Sequence, residues 1–312
     1  MSRANADNES GRRGGASGPR GPDRGRAPGR RQVRRRRRGA LLIFSLAAIA
    51  VVYLALVNTV FAPVDEHGAR TVHLTIHSRA VGRDLGVNVV EPADPPAPGR
   101  RTLLVFLHGH GGSESSFTED EAVFRGLARL GRRAPVVAFP DGGEHSYWHD
   151  RAEGDWGAYV MREVIPTVVR RFGIDPRRVA IGGISMGGFG AYDLALLHPG
   201  RFCAVGGHSA ALWFEGGETA PGAFEDAEDF ERNDVVAKVR ADPEAFGDIP
   251  IWNDFGAEDP FRVYDEGFDE ALEAGGADLS VHTGPGGHET SYWDRHWPAY
   301  LRFYAGALAN CG

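Results

Sequence analysis

Gly183-Ile184-Ser185-Met186-Gly187 sets a hydroxyl at the centre of a G-x-S-x-G pentapeptide, between the strand-like run 178–181 and a helical pattern beginning at Met186. In a sharp strand-to-helix turn such a serine stands out as a nucleophile, and glycines flank it because a Cβ there would strike neighbouring backbone. A phosphate-binding loop or plain tight packing are the other uses of such a turn. A hydroxyl attacks a carbonyl only when a base removes its proton, and that base needs an anion to fix its tautomer. Of the twelve histidines, His288 in Gly284-Pro285-Gly286-Gly287-His288 follows the last strand-like run and precedes the C-terminal helical pattern, which makes it the candidate base. His282 lies within that run and His296 within that helical pattern, where structural roles fit better. Asp259, in Phe255-Gly256-Ala257-Glu258-Asp259-Pro260, is the candidate acid, with Glu258 its close rival.

The apolar run Leu103–Leu107 enters His108-Gly109-His110-Gly111-Gly112, whose glycines allow amides to approach an oxyanion. The candidate donors are the backbone N–H groups of His110 and of Met186, the latter at a helix N-terminus. A tight turn, or the imidazoles of His108 and His110 as metal ligands, are the competing readings of that segment. No CxxC or HExxH spacing occurs, so no catalytic metal is expected. Trp148, Trp156 and Trp213 are candidate substrate contacts, although each type fits a core as well. Residues 212–231 read as an insertion that could form a lid over the site. Its seven acids, Glu215, Glu218, Glu225, Asp226, Glu228, Asp229 and Glu231, read as solvent-facing rather than metal-binding.

The elements that must position these groups alternate. Thr71–His77 and Val87–Val90 look like opening antiparallel strands, and further strands are expected at Leu103–Leu107, Pro135–Phe139, Val179–Ile181, Phe202–Val205, Ile249–Asn253 and Leu279–His282. Helical patterns cover Glu119–Leu130, Trp156–Phe172, Met186–Leu197, Val263–Ala274 and Tyr292–Ala309, with Pro166 expected to kink or divide the second. This is an α/β chain with a mainly parallel sheet and helices on both faces, so each catalytic candidate must fall just after a strand. The order Ser185, Asp259, His288 is that of the α/β-hydrolase fold.

The front of the chain differs in character. Residues 1–38 carry thirteen Arg against three acids, +10; from −7 for the whole chain, −17 remains for the rest. Such a tail lacks the apolar side chains to offset ordering entropy and should be disordered. Residues 39–62 are apolar, and Ala40–Val57 as a helix reaches about 27 Å, close to a bilayer core. We read this as an uncleaved transmembrane anchor with Arg34–Arg38 on the cytoplasmic side, which sends a linker at 63–70 and a catalytic domain at 71–312 outward. A cleaved leader would instead give a secreted domain. The arginines suit topology and anionic lipid better than nucleic acid, and no nucleic-acid partner is expected. Cys203 is most simply a small core residue, and pairing with Cys311 in an oxidising compartment is the alternative.

HGHGG followed by Ser-Glu-Ser-Ser-Phe, Pro140-Asp141-Gly142-Gly143, Asp155-Trp156, Gly183 to Gly188, Gly256-Ala257-Glu258-Asp259 and Gly287-His288 resemble the esterase D and antigen 85 (mycolyltransferase) family of α/β-hydrolases over about residues 71 to 309. The resemblance implies carboxylic-ester hydrolysis or acyl transfer through a serine acyl-enzyme, without cofactor, on Ser185, Asp259 and His288. His110 departs from the apolar residue common at that position, which a backbone donor tolerates. The expectation is a membrane-anchored, outward-facing serine ester hydrolase with an acyl-ester substrate. Acyl transfer to an envelope sugar is the alternative, and a non-catalytic envelope or binding protein a second.

Overall fold

A computed structural model describes residues 48–53 and 63–311. The chain divides at Pro63/Val64 into two units, and of the first only the helical residues 48–53 and Pro63 are described. The basic tail 1–38 and most of the apolar segment 39–62 lie outside the described residues, among which no helix is long and apolar enough to cross a membrane.

The second unit is built on eight strands in the order β1-β2-β4-β3-β7-β8-β9-β10. β1 (Arg70–His77) and β2 (Asp84–Glu91) are antiparallel, β2 pairs antiparallel with β4 (Val136–Pro140), and every later pairing is parallel: β4 with β3 (Arg101–Leu107), then β7 (Ile174–Ile184), β8 (Val205–His208), β9 (Ile251–Gly256) and β10 (Leu279–Gly284). A separate ribbon joins β5 (Asp150–Arg151) to β6 (Gly154–Asp155). Central strands are apolar on both sides because both faces are covered. In β3, Leu103, Val105 and Leu107 pack on one face with helices Ile165–Phe172, Met186–Leu197 and Arg262–Ala274, while Leu104 and Phe106 pack on the other with helices Ala122–Leu130 and Thr290–Asn310.

Several expected bounds move for physical reasons. β8 starts at Val205 rather than Phe202 and runs through Gly206-Gly207, a pair that reads as a turn. A Cβ on Gly206 would strike Tyr304 Oη and one on Gly207 the ring of Tyr192, so glycine here lets tyrosines close on both faces. The expected helix Trp156–Phe172 is a composite of a turn at Trp156–Ala158, a π-helical stretch Tyr159–Val164 and a helix Ile165–Phe172. Pro166 sits in the first turn of that last piece, and the widened stretch before it absorbs the hydrogen bond that proline cannot make.

Cys203 and Cys311 form a disulfide across 108 residues of sequence. Cys203 is buried in the core, as expected, and is also paired, as the alternative reading had it. The C-terminal helix runs back along the sheet and delivers Cys311 beside the segment that leads into β8.

Candidate active site

β7 ends at Ile184 and the next helix begins at Met186, which leaves Ser185 alone in the turn with φ +55° and ψ −118°. That conformation costs a non-glycine residue about 1–3 kcal/mol, and the surroundings over-determine it. A Cβ on Gly183 would strike the backbone of Gly187, and one on Gly187 the carbonyl of Leu107 in β3. Ser185 N–H donates to His208 O at 3.0 Å, while Ser185 O accepts from the amides of Phe189 and Ala211, both at 3.1 Å.

His288, four residues past β10, brings Nε2 to 2.8 Å from Ser185 Oγ. Its Nδ1 lies 3.2 Å from Asp259 Oδ2 and 3.3 Å from Oδ1, and Asp259 stands three residues past β9. The side chain of Asp259 is fully buried and that of His288 is 23% exposed, so the imidazole reaches solvent and the cavity while its carboxylate partner does not. Burial opposes ionisation of Asp259, yet hydrogen bonds from His288, Phe261 N–H and the Ser209 hydroxyl outweigh it and hold the carboxyl below its ordinary value. The rival Glu258 is turned elsewhere and accepts from Gly286 N–H at 2.9 Å. His282 stacks on Trp252, and His296 Nδ1 lies 2.7 Å from Tyr292 O, both away from the serine.

The glycine-rich loop after β3 is held from below. Burial keeps His108 neutral, below its ordinary value; its Nδ1 meets Gly109 O at 2.8 Å, and Nε2 accepts from Gly142 N–H at 2.9 Å. Trp148 Nε1–H donates to His108 O at 3.2 Å, and Gly111 N–H to Glu144 O at 2.8 Å. These bonds tie the His110 loop to residues 140–148. The His110 amide is thus carried on a braced segment facing Ser185, and Met186 N opens the helix beside it.

The expected aromatic contacts are not where the cavity lies. A cavity of about 430 Å³ beside Ser185 and His288 is walled by Gly109–Gly112, Phe117, Trp293, Asp294 and Trp297. Trp148, Trp156 and Trp213 are all buried and absent from its walls; their indoles fill core space against Gly142 and Gly190, against Gly143 and Tyr159, and against Tyr147 and Phe261 respectively. Segment 212–231 contributes no wall either. It packs through Trp213, Phe224 and Phe230, and its backbone accepts from Arg151 at Gly222 O and meets His149 Nε2 at Ala223 O. Six of its acids are exposed, but Asp229 is fully buried, where it accepts from Glu225 N–H and Asn233 Nδ2.

Two contributors escaped the sequence reading. Ser209 follows β8 with φ +53°, bonds Asp259 and accepts from Trp293 Nε1 at 3.1 Å. A second His–Asp pair, His208 Nδ1 to Asp254 Oδ1 at 2.6 Å, is buried beneath the site with Trp252 and Tyr300 on the same carboxylate. It cannot reach substrate; its part is to hold the strand end that receives Ser185 N–H. The position of Ser209 at a strand terminus was the available signal, whereas nothing in residue type marks His208 as buried.

Comparison with known proteins agrees with this geometry. The Esterase family model matches residues 78–304. An esterase of Mycobacterium tuberculosis is 30% identical over 156 residues, a match that takes in 46% of this chain and 33% of that protein, so this chain spans about a third of its relative. Among solved structures, a ferulic acid esterase superposes with a TM-score of 0.66 at 21% identity, over 77% of this chain and 98% of the other. MPT51 of Mycobacterium tuberculosis gives a TM-score of 0.60 at 17% identity over 77% and 99%. At those identities the structural likeness speaks for the fold, an α/β-hydrolase fold with a mainly parallel sheet. The match to the family model extends from the end of β1 into the C-terminal helix and takes in the nucleophile turn, the acid and the base; the chain belongs to the Esterase family of serine hydrolases.

Proposed function

We propose that the chain hydrolyses carboxylic esters through an acyl-enzyme on Ser185. The observation that carries this reading is the hydrogen-bonded sequence Ser185 Oγ, His288 Nε2, His288 Nδ1, Asp259 at 2.8 and 3.2 Å. Ser185 Oγ attacks the ester carbon as its proton passes to His288, and Asp259 stabilises the imidazolium. The tetrahedral oxyanion takes hydrogen bonds from His110 N–H and Met186 N–H, His288 returns the proton to the departing alcohol, and water repeats the sequence to free the acid. Labelling by a fluorophosphonate, abolished in Ser185→Ala, tests the reading; a folded protein that resists labelling overturns it. Product analysis with added sugars separates hydrolysis from transfer, since transfer yields a new ester in place of free acid.

The domain works outside the cytoplasm, anchored through residues 39–62. The Cys203–Cys311 bond supports that placement, because such bonds persist in oxidising compartments, and so do the arginines before the apolar segment. Protease added to intact spheroplasts should degrade the domain; full protection would place it inside.

A further inference from the structure

The cavity beside Ser185 is aromatic on three sides and carries one carboxylate, and that combination narrows the ester. Phe117 and Trp297 form buried walls, and Trp293 packs edge-on to His288 with ring centroids 5.1 Å apart while its indole N–H is committed to Ser209. Asp294 follows Trp293 on the C-terminal helix and also lines the cavity. It shares that cavity with His288, the group from which a leaving alcohol would receive its proton.

The charge at that wall is poorly compensated. Asp294 is half-buried, and its charged neighbours are Asp120, which repels it, and Arg125, on the helix Ala122–Leu130. Burial and then Asp120 push its carboxyl up to about 6, so it is ionised at neutral pH at a cost that a cation would relieve. Arg295, its neighbour in sequence, turns away to Pro285 O at 3.0 Å. His110 and His288 are the other titratable groups on the cavity. Aromatic faces beside a carboxylate attract an ammonium group by quadrupole and charge together. The net charge of −17 outside the basic tail adds long-range attraction of cations.

Resting on the esterase reading above, we propose that Asp294, with Trp293, Trp297 and Phe117, makes this enzyme selective for esters whose alcohol portion carries a cationic ammonium group. Asp294 is a specificity-determining residue that meets the leaving group.

The test compares acetylthiocholine with S-(3,3-dimethylbutyl) thioacetate, which replaces the ammonium nitrogen by carbon at nearly the same volume; both are followed by thiol release. The ratio of their kcat/KM values cancels anything common to the two, the protonation of Ser185 and His288 included. At pH 7.5 the ratio should favour the cation about tenfold or more, and Asp294→Asn should bring it near one. In the wild-type protein it should fall as pH drops through about 6, where Asp294 gains a proton. In the variant it should stay flat; a slope remaining there would assign the effect to another group and overturn the role of Asp294. A wild-type ratio of one, or turnover of neither ester by protein that still reacts with a fluorophosphonate, overturns the proposal and leaves the esterase reading intact. Loss of the fluorophosphonate reaction itself would sink both.

Discussion

At the scale of single residues the site is a division of labour enforced by burial. Ser185 is buried but lines the cavity, His288 is partly exposed, and Asp259 is shut away with three hydrogen-bond donors, which is how a carboxylate stays ionised out of water. In the proposed mechanism its task is to hold the proton of His288 on Nδ1, so that Nε2 is free to take the proton of the serine. Asp259→Asn keeps the shape but presents an amide that can stabilise the wrong tautomer; kcat should fall about 10⁴-fold with KM little altered, as steady-state kinetics on a simple acyl ester would show. A loss below tenfold would mean that Asp259 only packs. These three residues were legible in the sequence because each stands in a glycine-marked loop just past an apolar run. The indoles were not: Trp148 and Trp293 are the same residue type near the same rim, and only packing decides that the first braces the oxyanion loop while the second faces the cavity.

At the scale of elements, the nucleophile turn works because β3, β7 and the helix Met186–Leu197 approach too closely for any side chain at Gly183 or Gly187. Gly187→Ala would drive a methyl group into the carbonyl of Leu107, and neither a core strand nor a helix N-terminus has a flexible side chain to move aside. An overpacking cost of about 2–3 kcal/mol is expected, which for a domain of this size lowers Tm by about 5–10 °C, with esterase activity falling further as Ser185 shifts. Thermal melts of purified variant check this; an unchanged Tm would mean that the elements separate easily. Most element types and their order were readable from alternating apolar periodicity, and helix Met186–Leu197 was read to the residue, but the helices Ala227–Asn233 and Val235–Ala241 were not read. What failed was local: Gly206-Gly207 signals a turn in sequence, and the tyrosines that require glycine there lie 15 and 98 positions away in the chain from the residues they touch. The segment 212–231 looked like a lid from its composition; Trp213 and Phe230 belong to the buried core, and Phe224 packs against it beside Phe189.

At the scale of the whole molecule, two features set stability rather than chemistry. The helix Arg262–Ala274 turns Asp265 and Asp269 inward, and neither oxygen of Asp265 has a hydrogen-bond partner. Burial is the first cause that raises both carboxyls, Asp269 to about 7 and Asp265 well above its ordinary value. Between the unfolded value of about 3.9 and the folded value, the native state holds protons that the unfolded chain has lost, so stability falls as pH rises through that window. Tm should therefore be higher near pH 5 than at pH 8, and Asp269→Asn, which preserves the bond from Asn253 Nδ2, should narrow the gap; equal melting at the two pH values in wild type would refute this. The second feature is the Cys203–Cys311 bond, which ties the C-terminal helix to the segment entering β8 and closes a loop of 108 residues. In the chain-entropy account a loop of that length contributes about 4–5 kcal/mol by constraining the unfolded chain. It touches neither the serine nor the cavity, so its removal should separate stability from catalysis. A Cys203→Ser, Cys311→Ser double variant should melt about 10–15 °C lower while keeping its kcat on a simple ester at 25 °C, and native protein should take up a thiol reagent only after reduction. The paired cysteines thereby fasten the C-terminal helix: a domain left reduced would meet the same heat with that helix, and the Trp293–Asp294 wall it carries, held by packing and by hydrogen bonds such as those from Arg178 to Leu308 O and Ala309 O.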